Sequence, residues 1–204
     1  MTTAIYFDLD GTLLTFEQGY GSLVADVLAG HVEDPAAAAE TFLDTFDTHF
    51  EALEPRPYRQ GMVAVCERAG VDADPDELVA ALREAEWTHS RVSDAARESL
   101  AALGEDTPLG VLTDGVGEFQ RAKLAHHDLD QYFESVIVSY EVGAHKPDQA
   151  IFDRARDAID ADEYVMVGDS DADIEGARAA GFTPVRVEHG EDVPDFWATV
   201  RALV

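Results

Sequence analysis

Five short runs of apolar and β-branched residues punctuate the chain, at Thr3–Phe7, Leu109–Leu112, Val136–Ser139, Tyr164–Val167 and Pro184–Val187. Each is strand-sized and largely apolar or β-branched, as expected of strands in a covered parallel sheet. Stretches with helical spacing separate the last four, at Gly117–His127, Pro147–Ile159 and Ala172–Ala180. Pro147 suits the first turn of its helix, and Gly181 suits the end of the next. This alternation predicts an α/β protein built on a doubly wound, parallel, Rossmann-like sheet with right-handed crossovers.

The interval between the first two strands is too long for one crossover. Apolar positions there mark four helical segments, near residues 18–29, 36–53, 58–69 and 76–89. Asp34-Pro35 and Asp74-Pro75 each place an N-cap residue before a helix-starting proline. The pattern predicts a helical domain, residues 16–90, inserted into a core made of residues 1–15 and 91–204. Val92–Leu103 is expected to be the crossover helix back into that core, and the connections near 14–20 and 88–94 its hinges. Phe42, Phe46 and Phe50 recur at helical spacing and are expected to pack the insert.

With 204 residues and a 46% hydrophobic share, the chain has enough apolar material for a packed core. No apolar run is long enough to cross a membrane, and the first residues do not read as a secretion signal. A single cysteine, Cys66, suits a reducing cytoplasm. The charge changes the picture more. There are 42 acidic against 14 basic residues, a net charge of −28, and lysine occurs only at positions 123 and 146. The acids are spread along the whole chain, the pattern of a halophilic surface that stays hydrated in molar salt. No basic patch is available to neutralise nucleic-acid phosphates.

Candidate chemistry lies at the strand ends, where ligands bind in an open parallel sheet. The first strand closes into Asp8-Leu9-Asp10-Gly11-Thr12, two carboxylates whose burial calls for a nearby cation. The second delivers Leu112-Thr113-Asp114-Gly115, a hydroxyl and backbone N–H groups at a helix start, suited to a phosphate. After the third comes Lys146-Pro147, one of two lysines in a chain that has nearly abandoned the residue. The fourth ends in Gly168-Asp169-Ser170-Asp171-Ala172-Asp173, with Asp169 and Asp173 one helical turn apart. Hard oxygen ligands of this kind suit Mg²⁺ together with a substrate phosphate. No His/Cys spacing suggests zinc.

These four motifs, in order and in matching strand contexts, resemble the haloacid dehalogenase-like superfamily, most of whose members are phosphatases. The helical insert looks like the family's C1-type cap. The resemblance implies that Asp8 attacks phosphorus and Asp10 is the general acid and base, while Thr113, the Gly115 backbone and Lys146 hold the transferring phosphoryl group. It also implies a Mg²⁺ ion held by Asp8, the Asp10 backbone carbonyl and Asp169, with Asp173 as ligand or as partner to one. The substrate implied is a small phosphorylated metabolite, with Arg56, Arg59, Tyr20 and Tyr58 of the insert as candidates for reading it.

Two features depart from close phosphatase relatives. Asp114 stands where Asn commonly follows Thr, and Arg91-Val92-Ser93-Asp94 lacks the Pro-Gly pair typical of phosphoglycolate phosphatases. A phosphomutase would use the same core residues. A haloacid dehalogenase would have no use for Asp10, and a receiver domain would carry its phosphoacceptor on a middle strand without an insert. The sequence leaves the oligomeric state unspecified.

Overall fold

The computed structural model describes residues 1–188 and 195–204. Two compact units divide the chain, Met1–Thr15 with Arg91–Val204 in one and Phe16–Ser90 in the other. The first unit begins with strand β1 (Thr3–Phe7). The chain then passes through β2 (Thr15–Phe16) into four helices, α1 (Tyr20–Leu28), α2 (Pro35–Glu51), α3 (Pro57–Ala69) and α4 (Pro75–Thr88), and leaves them through β3 (Ser90–Arg91). Back in the first unit come α5 (Asp94–Leu103), β4 (Leu109–Thr113), α6 (Gly117–His126), β5 (Ser135–Val138), α7 (Ser139–Val142) and α8 (Gln149–Ala158). β6 (Glu163–Gly168), α9 (Asp171–Ala180), β7 (Thr183–Arg186) and α10 (Phe196–Arg201) follow.

The five long strands form one parallel sheet in the order β5-β4-β1-β6-β7. From β1 the chain winds outward through β4 and β5, then crosses to the other side of β1 for β6 and β7. The topological switch therefore falls beside β1, which pairs Phe7 with Val111 of β4 and with Val167 of β6. Crevices that take ligands open at this point in such sheets.

Both faces of the inner strands β1, β4 and β6 are covered, which explains their apolar runs, whereas edge strand β7 keeps exposed positions at Thr183 and Arg186. Ile5 and Phe7 of β1 face one cluster with Leu100 and Leu103 of α5, Leu124 of α6, and Trp197 and Val200 of α10. Ala4 and Tyr6 face the other, with Ile151, Phe152 and Ala155 of α8 and Ala177 of α9. The buried Tyr6 hydroxyl donates to the Ala155 carbonyl at 2.6 Å, so its polar end is satisfied. Gly110 lies directly beside the Tyr6 ring, where any Cβ would overlap it.

In the helical unit, Asp34 caps α2 by accepting from the Ala37 N–H, and Asp74 caps α4 by accepting from the Asp76 N–H, each with proline at the first helical position. The Phe42, Phe46 and Phe50 rings stack along α2, and Tyr58 packs on Phe46 at 4.7 Å between centroids. Leu23, Met62, Val65, Leu78 and Leu82 complete the interior.

Two expectations shift. Pro147 does not start α8: the helix begins at Gln149, capped by the Asp148 side chain, and the Lys146-Pro147 peptide is cis. Val92 lies outside α5 because the Ser93 hydroxyl accepts from the Ala96 N–H and caps the helix there. Two short helices, α7 and α10, lie where the sequence pattern marked none. Among the described residues no helix is long and apolar enough to cross a membrane.

Candidate active site

The C-terminal ends of β1, β4 and β6 converge with the loop before α8 on one buried group of charges. Asp8 follows β1 directly, its N–H continuing the ladder to the Val167 carbonyl at 2.8 Å. Lys146 reaches it from the loop after α7. The Lys146 Nζ donates to Asp8 Oδ1 at 2.7 Å, to Asp173 Oδ1 at 2.6 Å and to the Leu112 carbonyl at 3.2 Å. Asp173, fully buried in the first turn of α9, has its other oxygen held by Ser170. The Ser170 N–H and hydroxyl donate to Asp173 Oδ2 at 3.0 and 2.6 Å, and the Asp173 N–H returns a bond to Ser170 Oγ, a reciprocal capping box.

Carboxylate oxygens of Asp8, Asp169 and Asp173 lie within 4.8 Å of one another. Asp169 is steadied by Thr12, whose hydroxyl donates to it at 3.4 Å, and its carbonyl accepts from Arg186 at 2.7 Å. Gly11, at φ +85°, lets the loop after β1 approach this closely, since a Cβ there would stand 2.5 Å from Asp169 Oδ2. One ammonium faces several carboxylates, and the electrostatics reflect that imbalance. The Asp8 carboxyl is raised to about 7: burial is the largest cause, Lys146 opposes it, and Asp173 and Asp10 add to it. Burial also disfavours the charge on Lys146, but the carboxylates of Asp8, Asp173 and Asp114 outweigh it and hold the ammonium well above its ordinary range. A site with this excess of buried negative charge and only oxygen donors is chemically fitted to a hard divalent cation.

Asp10 turns elsewhere. Lys123 of α6 donates to both its oxygens, at 2.8 and 2.6 Å, and Gln120 donates to Oδ2 at 2.9 Å. Gln120 also donates to Thr113 Oγ1 at 2.8 Å, tying the end of β4 to Asp10. Neither Lys123 nor Gln120 was singled out as a site residue in the sequence, although Lys123 carried a signal as one of two lysines.

The residues after β4 have their own partners. The Asp114 carboxylate accepts from the Lys146 N–H at 3.0 Å and stands 3.5 Å from His145 Nδ1, so it clips the lysine loop in place. The Gly115 N–H donates to Ser139 Oγ at 2.9 Å. Arg56 and Arg59 belong to the helical unit. Arg59 pairs with Asp76 at 3.2 Å, and Arg56 is exposed at the N-cap of α3 in a left-handed conformation, φ 59°. In the same unit the Tyr20 hydroxyl donates to the buried Glu86 at 2.7 Å.

A doubly wound parallel sheet with acids and a lysine-bearing loop at its switch point places the protein in the α/β class, and comparison with known proteins narrows it. Residues 2–181 match the haloacid dehalogenase-like hydrolases, and the chain belongs to that family. It is 32% identical to a glyceraldehyde 3-phosphate phosphatase of Pyrococcus abyssi, over 94% of this chain and 83% of the relative. It is also 31% identical to a ribulose-1,5-bisphosphate 5-phosphatase of Halopiger xanaduensis, over 94% and 87%. Among solved structures, a phosphatase of this family from Thermococcus onnurineus superposes with a TM-score of 0.65 at 26% identity, over 100% of this chain and 98% of that one. The magnesium-bound hydrolase YfnB of Bacillus subtilis gives 0.67 at 24%, over 95% and 90%, a likeness of fold.

Proposed function

We propose that this protein hydrolyses the phosphomonoester of a small metabolite in two displacements on Asp8, with Mg²⁺ as cofactor. The observation that carries the reading is the division of labour between the two aspartates of the β1 loop. Asp8 is buried and aimed by Lys146, whereas Asp10, two residues on, is a separately held carboxylate whose side chain is 34% exposed.

In the first displacement an Asp8 oxygen attacks phosphorus, the ester P–O bond breaks, and Asp10 gives its proton to the departing alcohol. In the second, Asp10 takes a proton from water as the water oxygen attacks the aspartyl-phosphate, and Asp8 and inorganic phosphate are released. Lys146 and Thr113 would hold the phosphoryl oxygens, and the lysine charge would offset that of the transferring group. Asp8, Asp169 and the Asp10 carbonyl would hold the Mg²⁺, which when bound supplies charge neutralisation to nucleophile and phosphate. Both Asp173 oxygens are engaged, one by Lys146 and one by Ser170, which favours Asp173 as the residue that positions Lys146 over a direct ligand.

Residues 16–90 would act as the cap unit, whose side chains would select the leaving group. Relatives matched over most of their length are named for glyceraldehyde 3-phosphate, ribulose-1,5-bisphosphate, phosphoglycolate and fructose 1-phosphate, which supports a small organic phosphate as substrate. Asp10 disfavours halide displacement, which has no leaving alcohol to protonate. The test is release of nitrophenolate from p-nitrophenyl phosphate in molar KCl, with and without Mg²⁺. Mg²⁺-dependent release that vanishes in Asp8→Asn is expected, and normal turnover by that variant would remove Asp8 as nucleophile.

A further inference from the structure

Twelve of the fourteen basic residues are arginine, yet the two lysines are both buried and each meets one aspartate of the β1 loop: Lys146 meets Asp8 and Lys123 meets Asp10. Lys123 is 3% exposed. Its ammonium bridges both Asp10 oxygens, at 2.8 and 2.6 Å, and so defines the plane and direction of that carboxylate. Lysine brings a compact point charge with three donors on a flexible stem to this place. Gln120, three residues earlier on the same face of α6 and 2% exposed, adds a bond to Asp10 Oδ2 at 2.9 Å. It is itself fixed by Thr113 Oγ1 at 2.8 Å and by the Asp114 carbonyl at 3.2 Å. Gly115 leaves room for it, since a Cβ there would lie 2.7 Å from the Gln120 amide carbon.

Asp10 sits on a loop, and its side chain is partly exposed. Without α6, its rotamer would be set by local preference and water. An acid-base group works only when it lies within hydrogen-bond reach of the proton that moves. We propose that Lys123 and Gln120 are positioning residues, a two-donor clamp on α6 that aims Asp10 first at the leaving oxygen and then at the attacking water. The inference rests on the phosphatase reading above and adds residues that the four motifs do not contain.

The test uses p-nitrophenyl phosphate with the full-length enzyme in molar KCl and Mg²⁺, by rapid mixing and at steady state. Nitrophenolate leaves with little help from an acid, whereas breakdown of the phosphoenzyme needs Asp10 as base. Lys123→Met is expected to lower kcat on the order of 100-fold with KM changed by less than about two-fold, as misplacement by about 1 Å does. A nitrophenolate burst matching the enzyme concentration should precede the slow phase. Combining Lys123→Met with Asp10→Asn should cost no more than Asp10→Asn alone, because both remove the same function. Gln120→Leu removes a neutral donor and keeps the volume; it should lower kcat on the order of 10-fold with the same burst, and it decides the matter if Lys123→Met does not fold. Wild-type kcat in a folded Lys123→Met or in Gln120→Leu, or losses that multiply in the double variant, would overturn the clamp. Those outcomes leave the phosphatase reading standing as long as Asp8→Asn is inactive. Hydrolysis by Asp8→Asn would instead strike at that reading itself.

Discussion

Asp8 is held in the folded protein at a cost, and Asp8→Asn measures it. The carboxyl is displaced from its ordinary 3.8 to about 7, chiefly by burial. At about 1.4 kcal/mol per pH unit, the ionised form is disfavoured in the folded state by about 4 kcal/mol. Because the folded pKa lies above the unfolded one, the folded state binds the proton more tightly. The associated stability is therefore present at acid pH and is lost as pH rises through about 7. Asparagine has a similar shape, carries no charge and does not titrate, so it escapes that loss, while Lys146 keeps its bond to Asp173 at 2.6 Å. The assay is urea unfolding of wild type and Asp8→Asn in molar KCl with EDTA, from about pH 5 to pH 8.5. The variant should gain on the wild type by about 1.4 kcal/mol per pH unit up to about pH 7, then hold a constant lead. Added Mg²⁺ should stabilise the wild type by mass action and narrow that lead. A difference between the two proteins that is flat with pH, or that shrinks as pH rises, would refute the buried-charge argument.

Ser170→Ala removes the capping box at the start of α9 and one holder of Asp173. Unfolding free energy should fall by about 1 kcal/mol, read from the shift in urea midpoint, and an unchanged midpoint would show that the cap contributes nothing. A net charge of −28 spread over the surface should make the protein more stable as salt screens its self-repulsion, with Tm rising from about 0.1 M to about 1 M KCl. A Tm indifferent to KCl would remove the halophilic interpretation of the composition.

Strands and helices were legible because they are written in neighbouring residues. Continuous apolar runs located all five strands of the sheet to within a residue or two, and the Asp-Pro pairs located the starts of α2 and α4. The expectation failed where a side chain competed with the pattern. Pro147 resembles a helix start, but Asp148 supplies the cap one residue later, so α8 begins at Gln149. Ser139 reads as strand, yet it opens α7 and its hydroxyl takes the Gly115 N–H. The short α10 has too few residues to show a period.

The sequence by itself determined the α/β class, the parallel sheet and the acids at its strand ends, because strand alternation, turn glycines and a scarcity of lysine are local or compositional facts. Tertiary structure alone decided which charge meets which. Lys123 and Asp10 are 113 residues apart, Lys146 and Asp173 are 27 apart, and the Asp114 carboxylate and the Lys146 N–H are 32 apart. Periodicity carries no information about pairs at such separations. They are set by strand order, which places β1 between β4 and β6, and by burial, which makes each charge in that crevice require a partner.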